Sequence, residues 1–300
     1  QVCVAVPEGV RALGSEDLFE SEPVAERPDA LGAAAWPVLV RALEVENAPV
    51  REGIVGVLAT SSGAGEDDAV VRALGRAARS DPEVAVRVPA VPALRRVAGA
   101  KGYDVFRATL DDPDPTVRLE GITACKGICR SEDALGRLIA LALADEPLPN
   151  ALQARRILWS LTSDGADEEV VARIREQGRA ALPARSGGTG AVNDAAPQRR
   201  ELLAALLLAE VDDTSALDLV VRATRTGETA LRVHAVHALG RLGDASQVPL
   251  LAERLQDEDA TLAFYAYDAL RRMSERGITA ADSAAATYGG PRSQNLLPRP

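Results

Sequence analysis

The chain has 300 residues, 47% of them hydrophobic but only 3% aromatic, and a formal charge of −10. Apolar content made mostly of Ala, Val and Leu suits closely packed helices and excludes the aromatic- and Thr-rich composition of a β-sandwich or barrel. The 26% charged fraction excludes disorder of the whole chain, and the negative total opposes non-specific binding to nucleic acid or an anionic membrane.

Residues 1–28, broken by Pro7, Pro23 and Pro28, read as an N-terminal arm with one short helix at most. A start at Gln1 is expected of a fragment or of a processed product. Removal of a signal peptide would place the protein outside the cytoplasm; otherwise it is expected inside. From 29 to 277 a repeat governs the chain. An apolar residue, a polar residue (usually Arg) and a bulky residue five places after the first recur at Val50, Val86, Val117, Leu152, Leu231 and Leu262. These anchors lie 36, 31, 35, 79 and 31 residues apart, so the long gap should hide one diverged unit, placed at 197–211.

Each anchor opens a helix of about four turns, because apolar residues return at spacings of three and four. Preceding each is a first helical stretch, at 28–47, 66–81, 101–112, 131–146, 166–182, 214–227 and 245–259. Between them stand Asp-Pro and acidic signals such as Asp81-Pro82, Asp112 to Pro115 and Asp257 to Asp259, which favour a helix N-terminus. Residues 184–196, rich in Gly and small residues, read as an inserted loop. The tail, 278–300, has no sustained helical period and is expected to cap the last repeat or reach a partner. The longest apolar run, Leu202 to Ala209, is far too short to cross a bilayer.

The stretches DPDPTVRLEGITACKGI and LRVHAVHALGRLGDASQVPLLAERLQDED resemble HEAT repeats, especially the short bacterial type also seen in phycobilin lyases, over roughly residues 27–277. The resemblance implies an all-α, right-handed α-solenoid of about seven helix pairs, with an irregular arm and tail. It also implies that Arg51, Arg87, Arg118 and Arg232 brace neighbouring turns. Gln153 and Ala263 depart from the pattern at the corresponding position. The motif is informative about fold and nearly silent about function.

Charge offers one hint of a binding face. The second-helix windows sum to +8, leaving −18 for the rest. If second helices line the concave side as in the family, a basic groove would suit an acidic segment of a protein partner. Its candidate contacts are Arg95, Arg96, Arg155, Arg156, Arg271, Arg272 and Tyr265. The competing reading is that Arg near helix C-termini serves the helix dipole.

Chemistry is not expected. His234 and His237, three apart on one helix, lack a third ligand and sit at the flank of the apolar ridge, so a structural role precedes a metal. Cys125 and Cys129 fall one turn apart and are expected as buried free thiols. Neither Gly-rich stretch ends in the Lys-Ser/Thr of a phosphate loop, and no nucleophile elbow is present. The reading is a non-catalytic scaffold without cofactor or metal, binding protein rather than nucleic acid. Its alternatives are a structural subunit of an extracellular or envelope assembly, joined through arm and tail, and an enzyme of the bilin-lyase or DNA-glycosylase kind. Phe264, Tyr265 and Tyr267 cannot all face one core, so at least one should be exposed or covered by the tail.

Overall fold

The computed structural model describes residues 33–144, 147–162, 168–182, 198–226 and 228–290. The arm 1–28 and the inserted loop 184–196 lie outside these residues. Among those described the ordered elements are helices, seven consecutive pairs and one further helix in the tail. Contacts divide the chain into two compact units, 1–138 and 139–300; the division falls within the stretch 29–277.

Unit 1 holds α1 (Trp36–Val45) with α2 (Ala48–Thr60), α3 (Asp68–Ser80) with α4 (Val84–Ala98), and α5 (Tyr103–Thr109) with α6 (Pro115–Ala124). Helix α7 (Glu132–Ala142) crosses the division. Side chains cap three of these starts. Asn47 accepts from the Val50 amide at 3.1 Å, Asp67 from Ala69 at 2.7 Å, and Asp114 from Thr116 at 2.8 Å, each satisfying an otherwise orphan N–H. Proline occupies the first turn of α1, α2 and α6, where it has no N–H to lose. The core is made of Ile54, Leu58, Leu74, Leu94, Phe106 and Ile122, all essentially inaccessible.

The arginines implied as braces form a ladder. Arg51 donates to both carboxylate oxygens of Asp81 at 2.7 Å and to the Glu46 carbonyl at 2.7 Å. Arg87 repeats the arrangement with Asp112 at 3.0 and 3.1 Å and with the Asp81 carbonyl at 2.8 Å. Arg118 holds the carbonyls of Asp112 and Pro113. Each guanidinium thus ties its own turn, and Arg51 and Arg87 also tie the next. The receiving aspartate is fixed in return: Asp81 accepts from the Glu83 amide at 2.9 Å and Asp112 from the Asp114 amide at 2.8 Å.

Unit 2 holds α8 (Leu148–Thr162), α9 (Glu168–Ala180) with α10 (Arg199–Ala209), α11 (Leu217–Ala223) with α12 (Thr229–Leu242), and α13 (Val248–Arg254) with α14 (Ala260–Glu275). Helix α10 is the diverged unit expected in the 79-residue gap. It starts with a Gln198/Glu201 capping box, and every residue from Leu202 to Ala209 is buried. Here the ladder continues as Arg199 to Glu228 at 2.5 Å and Arg232 to Asp257 at 3.6 Å. Helices α12 and α14 approach so closely that a Cβ on Gly240 would stand 2.7 Å from Ala269 Cα. Only glycine fits there.

Two expectations are corrected. The tail does carry a helix, α15 (Thr279–Ala285), with Ala281, Ala285 and Tyr288 buried. It packs on α14, and the Tyr288 ring stacks on Tyr267 at 4.9 Å. The tail therefore covers the aromatic that the α14 core could not hold, as a terminal repeat requires. The cysteines are not free thiols: Cys125 and Cys129 form a disulfide. The chain leaves the helix at Cys125, and Gly127 takes a left-handed φ of +78°. This turn brings the two Cα atoms to 4.8 Å, closer than one helical turn would.

Candidate functional site

The candidate contacts separate into three groups by what surrounds them. Arg155 and Tyr265 are 4% exposed and cannot meet a partner, a correction to their expected place on a binding face. On α8, Arg155 follows Ala154 and precedes Ile157 and Leu158 on the buried side. Its guanidinium donates to Glu210 Oε1 at 2.5 Å and to Nδ1 of His234. Since Arg can only donate, that nitrogen accepts and His234 is neutral.

Arg241 completes the cluster, reaching Glu210 Oε2 at 3.0 Å, the Ala209 carbonyl at 3.1 Å and Asp212 at 2.6 Å. The cluster joins α8, α10 and α12 and satisfies the last carbonyls of α10. His234 is 8% exposed, not at the flank of the ridge, because α12 is buried on nearly all sides. Burial first, and then the Arg155 charge, hold its imidazole well below the usual range. Burial, with the charge of Arg272 next, brings His237 down to about 3. Its ring stands edge-on to Tyr265 at 6.4 Å. Among the described residues no three His, Cys, Asp or Glu side chains are grouped to hold a metal.

Arg271 and Arg272 form the second group, neutralised on their own helix. Arg272 meets buried Asp268 at 2.8 Å, and Arg271 meets Glu275 at 3.2 Å.

The third group faces solvent. On α8, Arg156 is exposed and followed three residues later by Trp159, 43% exposed. Three positions apart, the two side chains share a face. Charge alone does not mark Trp159; its place off the buried ridge of Ile157, Leu158 and Leu161 does. In unit 1, Arg96 is exposed at the end of α4, while Arg95 spans outward to donate to the Lys126 carbonyl at 3.1 Å. Lys126 and Arg130 lie exposed in and beside the disulfide-closed turn.

Residues 190–271 match the family model of HEAT repeats. The fold of the chain is that of a HEAT-like helical repeat. Among solved structures it is similar to Escherichia coli YibA, at 18% identity over 89% of this chain and 91% of that one, with a TM-score of 0.57. At that identity the likeness is one of fold alone. No curated protein matches the chain. Among the described residues of this HEAT-like chain, no helix is long and apolar enough to cross a membrane.

Proposed function

We propose that the chain is a non-catalytic HEAT-repeat scaffold that binds an acidic segment of a protein partner. The observation that carries this reading is the pair Arg156 and Trp159 on one exposed face of a second helix. Tryptophan and arginine are the residue types that dominate binding energy at interfaces, and Trp159 leaves 43% of its surface to solvent in a chain with 3% aromatic content. In the family such second helices line the concave side. Arg156 adds a charge that no acidic side chain among the described residues neutralises. Unlike the binding face expected from the sequence, this one leaves out Arg155 and Tyr265.

Affinity purification from the native source, with mass spectrometry, tests the reading. A partner that co-purifies stoichiometrically with the wild type and is lost with Arg156→Glu/Trp159→Ala, while circular dichroism keeps its helical signal, would support it. Equal capture by both proteins would refute it.

A second reading, a structural subunit of an extracellular or envelope assembly, draws on the Cys125–Cys129 disulfide, since such bonds persist in oxidising compartments. Mass measurement of the freshly isolated native protein under alkylation tests it. Two alkylated thiols at these positions would count against that compartment.

A further inference from the structure

We propose that α8 is seated on unit 2 by an acid-sensitive latch, Arg155 against His234, so that the Arg156 and Trp159 face is presented only while His234 is neutral. The proposal rests on the reading of that face as the binding surface, and it supplies a regulation for it. One helix carries both parts. Arg155 is buried, Arg156 beside it is exposed, and Trp159 follows on the exposed side. Whatever lifts the buried side of α8 therefore moves the binding face with it.

The latch has a fixed protonation requirement. The Arg155 guanidinium can only donate, and its acceptor on α12 is Nδ1 of His234. A proton on that nitrogen removes the acceptor and sets two cations against each other inside the unit. The surroundings offer no relief. The charges acting on His234 and its neighbour His237 are Arg155 and Arg156 from α8, Arg241 from α12 itself and Arg272 from α14. The nearby carboxylates are already engaged: Glu210 at the end of α10 with Arg155 and Arg241, Asp212 with Arg241, and Asp268 of α14 with Arg272. Helix α11 contributes apolar Leu219, Val220 and Ala223 to the interior. Lifting α8 also returns a costly group to water, because Arg155 Nε is buried without a partner among the described residues. Glu210 would still hold Arg241 at 3.0 Å.

With α8 lifted, His234 titrates at its ordinary 6.5; with α8 seated, burial and the Arg155 charge hold it far lower. The seat is thus at full strength above 6.5 and weakens about tenfold per pH unit below it, since only the lifted form takes the proton. Between pH 8 and pH 5 the balance moves about thirtyfold towards lifting. His237, edge-on to Tyr265 of α14, keeps that cover and adds no second proton to this step.

Hydrogen exchange with mass spectrometry on the full chain at pH 8 and pH 5, corrected for the intrinsic pH dependence of exchange, tests this. The amides of α8 are expected to lose about thirtyfold in protection in the wild type. His234→Asn offers Arg155 an amide oxygen that does not titrate, and α8 should keep its protection over the same interval. Equal losses in both proteins would overturn the latch. Protection of α8 as high as that of α14 at pH 5 would overturn it too, since α8 would then open only with the whole unit. If His234→Asn does not fold, the wild-type profile decides: α8 protection level above 6.5 and falling below it supports the latch, and a profile level throughout overturns it. Exchange is read on the chain alone. Partner capture that persists at pH 5 while α8 opens would refute the Arg156 and Trp159 face and leave the latch standing.

Discussion

Acid should loosen unit 2, in part through His237. In the folded chain its imidazole titrates at about 3, against an ordinary 6.5 when unfolded. Between those values the unfolded state binds the extra proton, so stability is fully present above 6.5 and falls by about 1.4 kcal/mol per pH unit as pH drops towards 3. At pH 5 the loss is about 2 kcal/mol. This figure depends almost wholly on the unfolded value, because pH 5 lies well above the folded one. His237→Phe keeps an aromatic edge towards Tyr265 and removes the titration. Urea unfolding followed by Trp159 fluorescence, in a Trp36→Phe background so that the signal comes from unit 2, measures both proteins at pH 8 and pH 5. The wild type should lose about 2 kcal/mol more than His237→Phe over that interval. His234, shifted the same way, is present in both and cancels. Parallel losses would show that the His237 site is not desolvated, and the account of the α12 interior would fail.

Removing the Arg87 side chain leaves Asp112, 7% exposed, uncompensated, so Arg87→Ala should cost about 3 kcal/mol in denaturant melts. Arg76→Ala, which breaks a pair exposed by 55% on each side, should change stability little. Gly240→Ala forces a Cβ against Ala269 and should destabilise unit 2 by about 2 kcal/mol despite the better helix propensity. Gly56→Ala in α2, where nothing lies within 4 Å, should stabilise by up to about 1 kcal/mol in the same denaturant melts. Arg155→Glu sets a second carboxylate beside buried Glu210 and should abolish cooperative unfolding of unit 2 rather than weaken partner capture selectively.

The repeat was readable in the sequence because its markers act locally. Asp114 caps α6 through amides two and three residues away, and the apolar spacing from Val117 to Ile122 marks the face that α6 buries. The bracing arginines were readable only through likeness, since the 25 residues between Arg87 and Asp112 leave no local trace. Counting charge by window failed at Arg155 and Arg156, which are adjacent and equal in charge. Successive side chains on a helix diverge by about 100°, so one enters the interior and the other meets solvent. Helical spacing is no guide to the disulfide, because the helix already ends at Cys125. The tail helix is short, and Ala-rich sequence gives it no amphipathic period; its place comes from the cover it gives Tyr267.

The arginine ladder bears on how such a chain can lengthen. The stretch from Pro82 to Asp112 contains a donor, Arg87, near its beginning and a receiver, Asp112, at its end. Copied in tandem, it would present its own Asp112 equivalent to the copied arginine, while the original Asp81 would still hold Arg51. The junction between copies needs no new residue. Duplication therefore reproduces the ion pair together with the fold, and a gene carrying this unit can add or lose repeats without first inventing a seam.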